Sequence, residues 1–226
     1  MNVAYIGIYL LILVVPLIAS INIKSTYKKY KMVANKKGLS GFEVARKILD
    51  ENGLKDMYIV EVRGELTDHY DPTQKVLRLS TDIFHGETIA AAAVAAHECG
   101  HAIQDKEGYV MMKIRSALVP VVNLVTYAAY IMFAISVFLQ IFNLLLVAIV
   151  SVLFGLLFQI VTLPVEFDAS RRGLKNLTDL GIVDKGEHEG TRKMLKSAAL
   201  TYVAAVLSSL LNLLRLVMSY ANNNRR

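Results

Sequence analysis

The sequence predicts an α-helical membrane protein with three to four membrane helices and a small α+β domain. Three observations lead there. Hydrophobic residues make up 54% of the 226-residue chain while 19% are charged, a balance that calls for both a lipid-facing and an aqueous part. Apolar stretches at residues 3–22, 117–139, 142–163 and 197–214 each approach the ~20 residues that cross ~30 Å of hydrocarbon. Between the first two lies a charged block with short helix and strand signals of its own. The first three apolar stretches are clean, and the last runs directly into Arg215.

Residues 1–23 read as a retained membrane anchor. Met1 and Asn2 supply no basic region ahead of the apolar run, and no small-x-small cleavage site precedes the lysines after it. Those lysines, Lys24, Lys28, Lys29, Lys31, Lys36 and Lys37, place the end of the first span on the cytoplasmic side by the positive-inside rule.

Residues 24–115 form the expected cytoplasmic domain. Ser40 and Glu43 have capping-box spacing, Val44, Ala45, Ile48 and Leu49 recur at helical spacing, and Gly53 supplies a stop, so a helix is expected over Gly41–Asn52. Met57–Val62 and Lys75–Ser80 read as two strands around a turn containing Asp71-Pro72. An extended peptide can add beside the second of these. Glu87–Gln104 is Ala-rich and free of proline, a second helix.

Residues 116–164 predict a transmembrane helical hairpin. No Lys or Arg occurs between Arg115 and Arg171, whereas Lys113 and Arg115 precede the pair and Arg171, Arg172 and Lys175 follow it. Both flanks are therefore cytoplasmic, with a turn near Gln140–Asn143. Residues 165–196 return as a second cytoplasmic segment. Residues 197–226 hold a Leu-rich helix, membrane-spanning or interfacial, and a tail. The net charge of +6 clusters beside apolar segments rather than in an aromatic-interleaved patch, which argues against nucleic acid and for membrane lipid as a partner. Cys99 is the sole cysteine, so no intrachain disulfide forms, and it reads as a small buried helix residue.

The chemistry is carried by His97-Glu98-Cys99-Gly100-His101. Residues four apart share a helix face, so His97 and His101 point two imidazoles at one ion, with Glu98 beside them. Neutral imidazole suits Zn²⁺, and a three-ligand site leaves a position for water, whose pKa falls from 15.7 toward about 7. Glu98 then serves as general base in attack on a peptide carbonyl. The apolar run Ile89–Ala96 ahead of the motif marks the helix as buried, and buried His and Glu require partners. For the third ligand the sequence is restrictive, because no Asp, Glu, His or Cys occurs from Gly108 to Val165. Glu166, directly after the hairpin, is on the same side as the motif by the charge argument.

Asp168 is a candidate to orient a ligand or to pair with an arginine. His69 and Tyr70 are candidates to stabilise an oxyanion, with a turn role as the competing reading, and His85 and Tyr109 belong to the same group. The small catalytic domain is thus expected to be zincin-like, acting on a protein or peptide substrate.

The order His-Glu-x-x-His, two membrane helices and a ligating Glu resembles the membrane gluzincins of the HtpX and CAAX-prenyl-protease type. Glu166-Phe167-Asp168-Ala169-Ser170 is similar to their Glu-x-x-Ala-Asp signature. It departs at Ser170, where that family carries Asp, and this leaves Asp168 as a possible replacement. A closer resemblance, over nearly the whole chain, is to the YugP-type neutral zinc metallopeptidases. It rests on Ala45-Arg46-Lys47-Ile48-Leu49, Asp68-His69-Tyr70-Asp71-Pro72, the run from Ala95 to Gln104, and Leu163-Pro164-Val165-Glu166-Phe167. The resemblance implies a zinc peptidase of a bacterial cytoplasmic membrane and carries no substrate with it.

Other readings are weaker. A non-catalytic zinc-stabilised scaffold or adaptor would be expected to close the metal with a fourth protein ligand, His69 or His85 for instance. An intramembrane protease would need a full span around the motif, and Asp105, Lys106 and Glu107 follow it too closely. A transporter would need charge in the hairpin, and Ala117–Leu163 has none.

Overall fold

The computed structural model describes residues 3–139 and 144–223; the turn expected near Gln140–Asn143, together with Arg225 and Arg226, lies outside them. In chain order the elements are α1 (Val3–Lys31), α2 (Gly41–Glu51), β1 (Tyr58–Val62), β2 (His69–Asp71), β3 (Val76–Ser80), α3 (Thr81–His85), α4 (Ile89–Glu107), α5 (Val110–Leu139), α6 (Leu144–Asp179) and α7 (Lys185–Asn223). They divide into two compact units, one of residues 1–20, 113–163 and 201–226, the other of residues 21–112 and 164–200.

Among the described residues, four helices are long and apolar enough to cross a membrane: Ile6–Lys31, Val110–Ile135, Leu144–Asp179 and Lys185–Asn222, with mean hydropathies of 2.5, 2.0, 2.8 and 1.7. The last has the lowest value, as Arg215 led us to expect. In the first unit that arginine is provided for: Nη1 donates to the Tyr9 hydroxyl at 2.8 Å, the guanidinium stacks over the Tyr9 ring, and Asn212 accepts from Nε and Nη2. A charge on a spanning helix is tolerated when it has such partners. Ser208 also donates to the Ile12 carbonyl at 2.7 Å, a second polar tie between α1 and α7. Leu13, Leu124, Ile131 and Leu214 are exposed, as suits side chains that lipid tails would cover.

The second unit is built on α2 and α4. The predicted capping box is present, with Ser40 Oγ accepting from Glu43 N and Glu43 accepting from Ser40 N. Val44, Ala45, Ile48 and Leu49 are fully buried, and Gly53 ends the turn at φ +67°. The strand region departs from a simple pair around a turn. The sheet order is β1-β3-β2, with β1 parallel and β2 antiparallel to β3. The turn thus contains a strand of its own, His69–Asp71, cut short by Pro72, which cannot donate to a ladder. β3 is consequently central, flanked on both sides, and a peptide cannot add beside it; the free edges belong to β1 and β2.

α4 begins two residues later than expected and ends three later. Thr88 Oγ1 accepts from Ala91 N, and Gly108 closes the helix in the left-handed conformation. Its alanines from Ala90 to Ala96 are fully buried, and such small side chains let neighbouring backbones come close. α6 continues without a break through Pro164, so Glu166 lies on the same helix as the apolar stretch before it. At the start of α7, Asp184 and Glu187 cap each other reciprocally, and Glu187 also takes Lys36 N at 2.7 Å.

Candidate metal centre

The structure brings together His97 and His101 of α4 and Glu166 of α6, with one ligand atom from each lying within 4.8 Å of the others. Glycine makes this crossing possible. A Cβ on Gly100 would overlap the Ala169 carbonyl, and one on Gly173 would sit 2.7 Å from the Ala96 carbonyl. The helices therefore touch backbone to backbone, and Glu166, Ala169, Ser170 and Gly173 share the face that meets α4. Glu166 is only 2% exposed, so the ligand set is enclosed.

The distances within it suit zinc. Glu166 Oε2 lies 3.3 Å from His97 Nε2 and 3.5 Å from His101 Nε2. Zinc bonds to nitrogen and carboxylate oxygen of 2.0–2.2 Å at tetrahedral angles separate ligand atoms by roughly 3.4 Å.

Hydrogen bonding adds a chemical argument. The buried Gln104 side-chain nitrogen donates to the Val165 carbonyl at 2.8 Å and to Asp168 Oδ2 at 3.0 Å. Both are acceptors only, which fixes the amide orientation and turns Gln104 Oε1 toward His101 Nδ1, 3.1 Å away. An amide oxygen cannot donate, so Nδ1 carries a proton, and Nε2 is the ring atom turned to the Glu166 carboxylate, 3.5 Å away. With Nδ1 occupied in this way, Nε2 of His101 is the nitrogen available to a cation beside the carboxylate.

His97 is held differently. Its Nδ1 lies 3.1 Å from Ser170 Oγ, so Ser170 itself occupies the place beside this ring. Asp168 is not its replacement there, because it stands two residues earlier on another side of α6. Asp168 instead pairs with Arg171 and Arg172 and reaches His101 through Gln104. Of the two roles the sequence left open, the arginine pairing is the direct contact, and His101 is reached only by way of the Gln104 amide. Gln104 was missed because glutamine carries no metal-site signal of its own; its position three residues beyond His101, on the same face, is the only hint.

Glu98 is 8% exposed, and the Tyr70 backbone N–H donates to its Oε2 at 3.0 Å. Burial pushes its carboxyl up to about 7, with Glu166 and Asp68 adding to the rise and His97 and the Tyr70 N–H opposing it. Since Tyr70 N–H points at Glu98 and so away from β3, the free edge of β2 faces Glu98. The Tyr70 hydroxyl donates to Asp105 at 2.6 Å, where Lys75 also binds, and burial raises the phenol pKa above its ordinary value. This commits the hydroxyl proton of an expected oxyanion candidate to a carboxylate.

The remaining candidates lie elsewhere. His69 is exposed, with Nδ1 2.8 Å from the Thr67 carbonyl, and His85 pairs with Glu61. Tyr109 lies under the Arg172 guanidinium. Asp68, not singled out by the sequence, accepts from Ser80 N and Oγ and ties the approach to β2 to the end of β3. Cys99 is buried as expected, with its thiol toward the Ala45 carbonyl.

Comparison with known proteins agrees with this geometry. The chain is 44% identical over 204 residues to the "Putative membrane protease YugP" of Bacillus subtilis (strain 168), covering 90% of this chain and 91% of that protein. No solved structure matches. The family described as "Putative neutral zinc metallopeptidase" matches residues 5–221. An HExxH helix, a carboxylate delivered from a second helix and this match over nearly the full length lead to one statement: the chain belongs to that family of membrane zinc metallopeptidases.

Proposed function

We propose that the chain is an active metalloendopeptidase that hydrolyses peptide bonds of membrane or membrane-proximal proteins at the cytoplasmic face of a bacterial membrane. Residues 24–115 and 165–196 form its catalytic part, and residues 1–23, 116–164 and 197–226 its membrane part. The carrying observation is a general-base carboxylate, Glu98, buried beside a three-ligand metal group and held by the backbone of an edge strand. Lysines after the first apolar stretch and arginines after the third support the cytoplasmic orientation.

His97, His101 and Glu166 would hold the zinc, which when bound lowers the pKa of a water toward about 7 and polarises a carbonyl. Glu98 takes the proton from the attacking water and passes it to the leaving amine. Tyr70 N–H holds Oε2 of that carboxylate, which leaves Oε1 as the proton carrier. The low exposure of Glu98 keeps competing water away and its proton affinity high. An extended substrate lies along the free edge of β2, where backbone pairing positions the scissile bond beside Glu98.

Purified protein in detergent is expected to bind about one zinc and to cleave an unfolded membrane protein. Glu98→Gln should retain zinc and lose about 10²–10⁴-fold in turnover; unchanged cleavage would sink the mechanism. The scaffold reading calls for a fourth protein ligand. Among the described residues three gather, and His69 and His85 are hydrogen-bonded elsewhere.

A further inference from the structure

Outside the metal centre, the second unit contains a cavity of about 300 Å³ along the pair α1 and α7. On α1 it is lined by Asn22, Ser25, Thr26 and Lys29, the i, i+3, i+4, i+7 stripe of one helix face. Lys193, Lys196, Ser197 and Leu200 form the same stripe on α7. Faces that meet in a helix pair ordinarily interdigitate aliphatic side chains. Here amides, hydroxyls and ammonium groups leave a groove instead. Its walls are fixed: Tyr30, at one end, is buried against Gly190, where a Cβ would come within 2.8 Å of the ring, and Ser197 is buried with its hydroxyl on the Met194 carbonyl.

The groove is cationic. Three lysines line it and no carboxylate does. Glu189 of α7 pairs with Arg192 and with the groove lysine Lys193 and is not itself in the lining, so two cations share one carboxylate there. Its place along the helices is equally informative. α1 passes from apolar residues to lysines at Asn22 to Lys24, and α7 passes from charged residues to apolar ones at Ser197 to Leu200. Both transitions fall within the groove, so it lies at the level where hydrocarbon gives way to headgroups.

We propose that this groove binds the phosphate of an anionic glycerophospholipid headgroup. Lys29, Lys193 and Lys196 neutralise the charge, Asn22, Ser25 and Thr26 donate to the phosphate and glycerol oxygens, and Leu200 begins the apolar surface that the acyl chains follow. Phosphate is the shared chemistry of a lipid headgroup and of the free ion. The adjoining apolar helices favour the lipid, since free phosphate gains nothing from them.

The test uses the full-length, zinc-loaded protein in a neutral detergent, with native mass spectrometry counting retained ligand after exposure to phosphatidylglycerol, phosphatidylcholine or inorganic phosphate. Wild type should retain phosphatidylglycerol at least about tenfold better than phosphatidylcholine, each lysine near an anionic group being worth roughly fivefold. Equal retention of the two lipids overturns the proposal without any variant being made. The Lys29→Gln, Lys193→Gln, Lys196→Gln triple variant should lose that preference. A control with Lys24→Gln, Lys28→Gln and Lys37→Gln, which removes the same charge outside the groove, should keep it. Equal loss in both would show diffuse attraction in place of a site. Retention of inorganic phosphate without retention of phosphatidylglycerol would overturn the lipid assignment.

Discussion

The two flanks of α4 are built on different principles. Toward α6 the contact is backbone on backbone, made possible by Gly100 and Gly173, and the groups that meet His97, His101 and Gln104 of α4 on that side are Glu166, Ser170, Asp168 and the Val165 carbonyl of α6. Toward β2 the contact is polar and made by single hydrogen bonds, Tyr70 N–H to Glu98 and Tyr70 hydroxyl to Asp105. A close-packed helix crossing has few alternative arrangements, which suits a metal that requires fixed distances. An edge strand tied by two hydrogen bonds can yield to an incoming peptide. Under the proposed function, the α6 flank sets metal affinity and the β2 flank sets chemistry and substrate.

The largest expected effect breaks the α6 flank alone. Glu166→Ala should weaken zinc binding by more than about 100-fold, beyond what loss of an orienting partner costs, while Glu98→Gln leaves zinc bound. Competition with a chromophoric chelator measures both, and equal zinc loss in the two variants would erase the distinction between flanks.

On the other side, the raised carboxyl of Glu98 makes the chelated protein sensitive to pH. Its folded-state value of about 7 exceeds the ordinary 4.5, so the folded state holds the proton more tightly than the unfolded chain does. Its stabilisation is complete below about pH 4.5 and is lost as pH rises through 7, by about 3 kcal/mol in all. Thermal melts of chelated wild type should fall across this window relative to Glu98→Gln. Parallel curves for the two proteins would show that burial does not raise this carboxyl.

Much of this architecture is legible in the sequence, and what is not has physical causes. Strong periodic or long apolar signals name the helices, including the capping box at Ser40 and the four apolar stretches. The spacing of His97 and His101, with no ligating residue from Gly108 to Val165, points to Glu166, and the structure gathers those three. β2 escaped because three residues ahead of Pro72 show too little alternation to separate a strand from a turn, although it pairs with the nearby β3. Gln104 and Ser170 escaped for another reason. Neither residue type signals a metal site, and Ser170 meets His97, and the Gln104 amide its acceptors, only once α6 crosses α4. Sequence spacing reveals groups that act together on one helix; it hides partnerships created by a crossing.

Those two residues sharpen the comparison further. Gln104→Leu removes the acceptor that fixes the His101 proton on Nδ1, and Ser170→Ala removes the group beside His97 Nδ1. Each should weaken zinc by about 10–100-fold. Gln104→Leu should have the larger effect, since it also removes the two hydrogen bonds that tie α4 to the Val165 carbonyl and Asp168 of α6. Cobalt substitution gives an independent readout, because a ring free to change tautomer should broaden or shift the visible bands. If Gln104→Leu matched wild type in affinity and spectrum, the tautomer would be fixed by something other than this amide.

The smallest effect expected lies wholly on the β2 flank. Tyr70→Phe deletes the hydroxyl that donates to Asp105 but leaves the backbone N–H that holds Glu98. Asp105 retains Lys75 as a partner, so no carboxylate is left buried alone and the loss should stay near a single hydrogen bond, about 0.5–1.5 kcal/mol in stability. Zinc affinity and turnover on a short peptide should be unchanged. A fall in turnover at unaltered zinc affinity would mean that the phenol, and not the backbone alone, positions the base. A fall in zinc affinity would mean that the two flanks of α4 are coupled, and that the edge strand helps to hold the metal as well as the substrate.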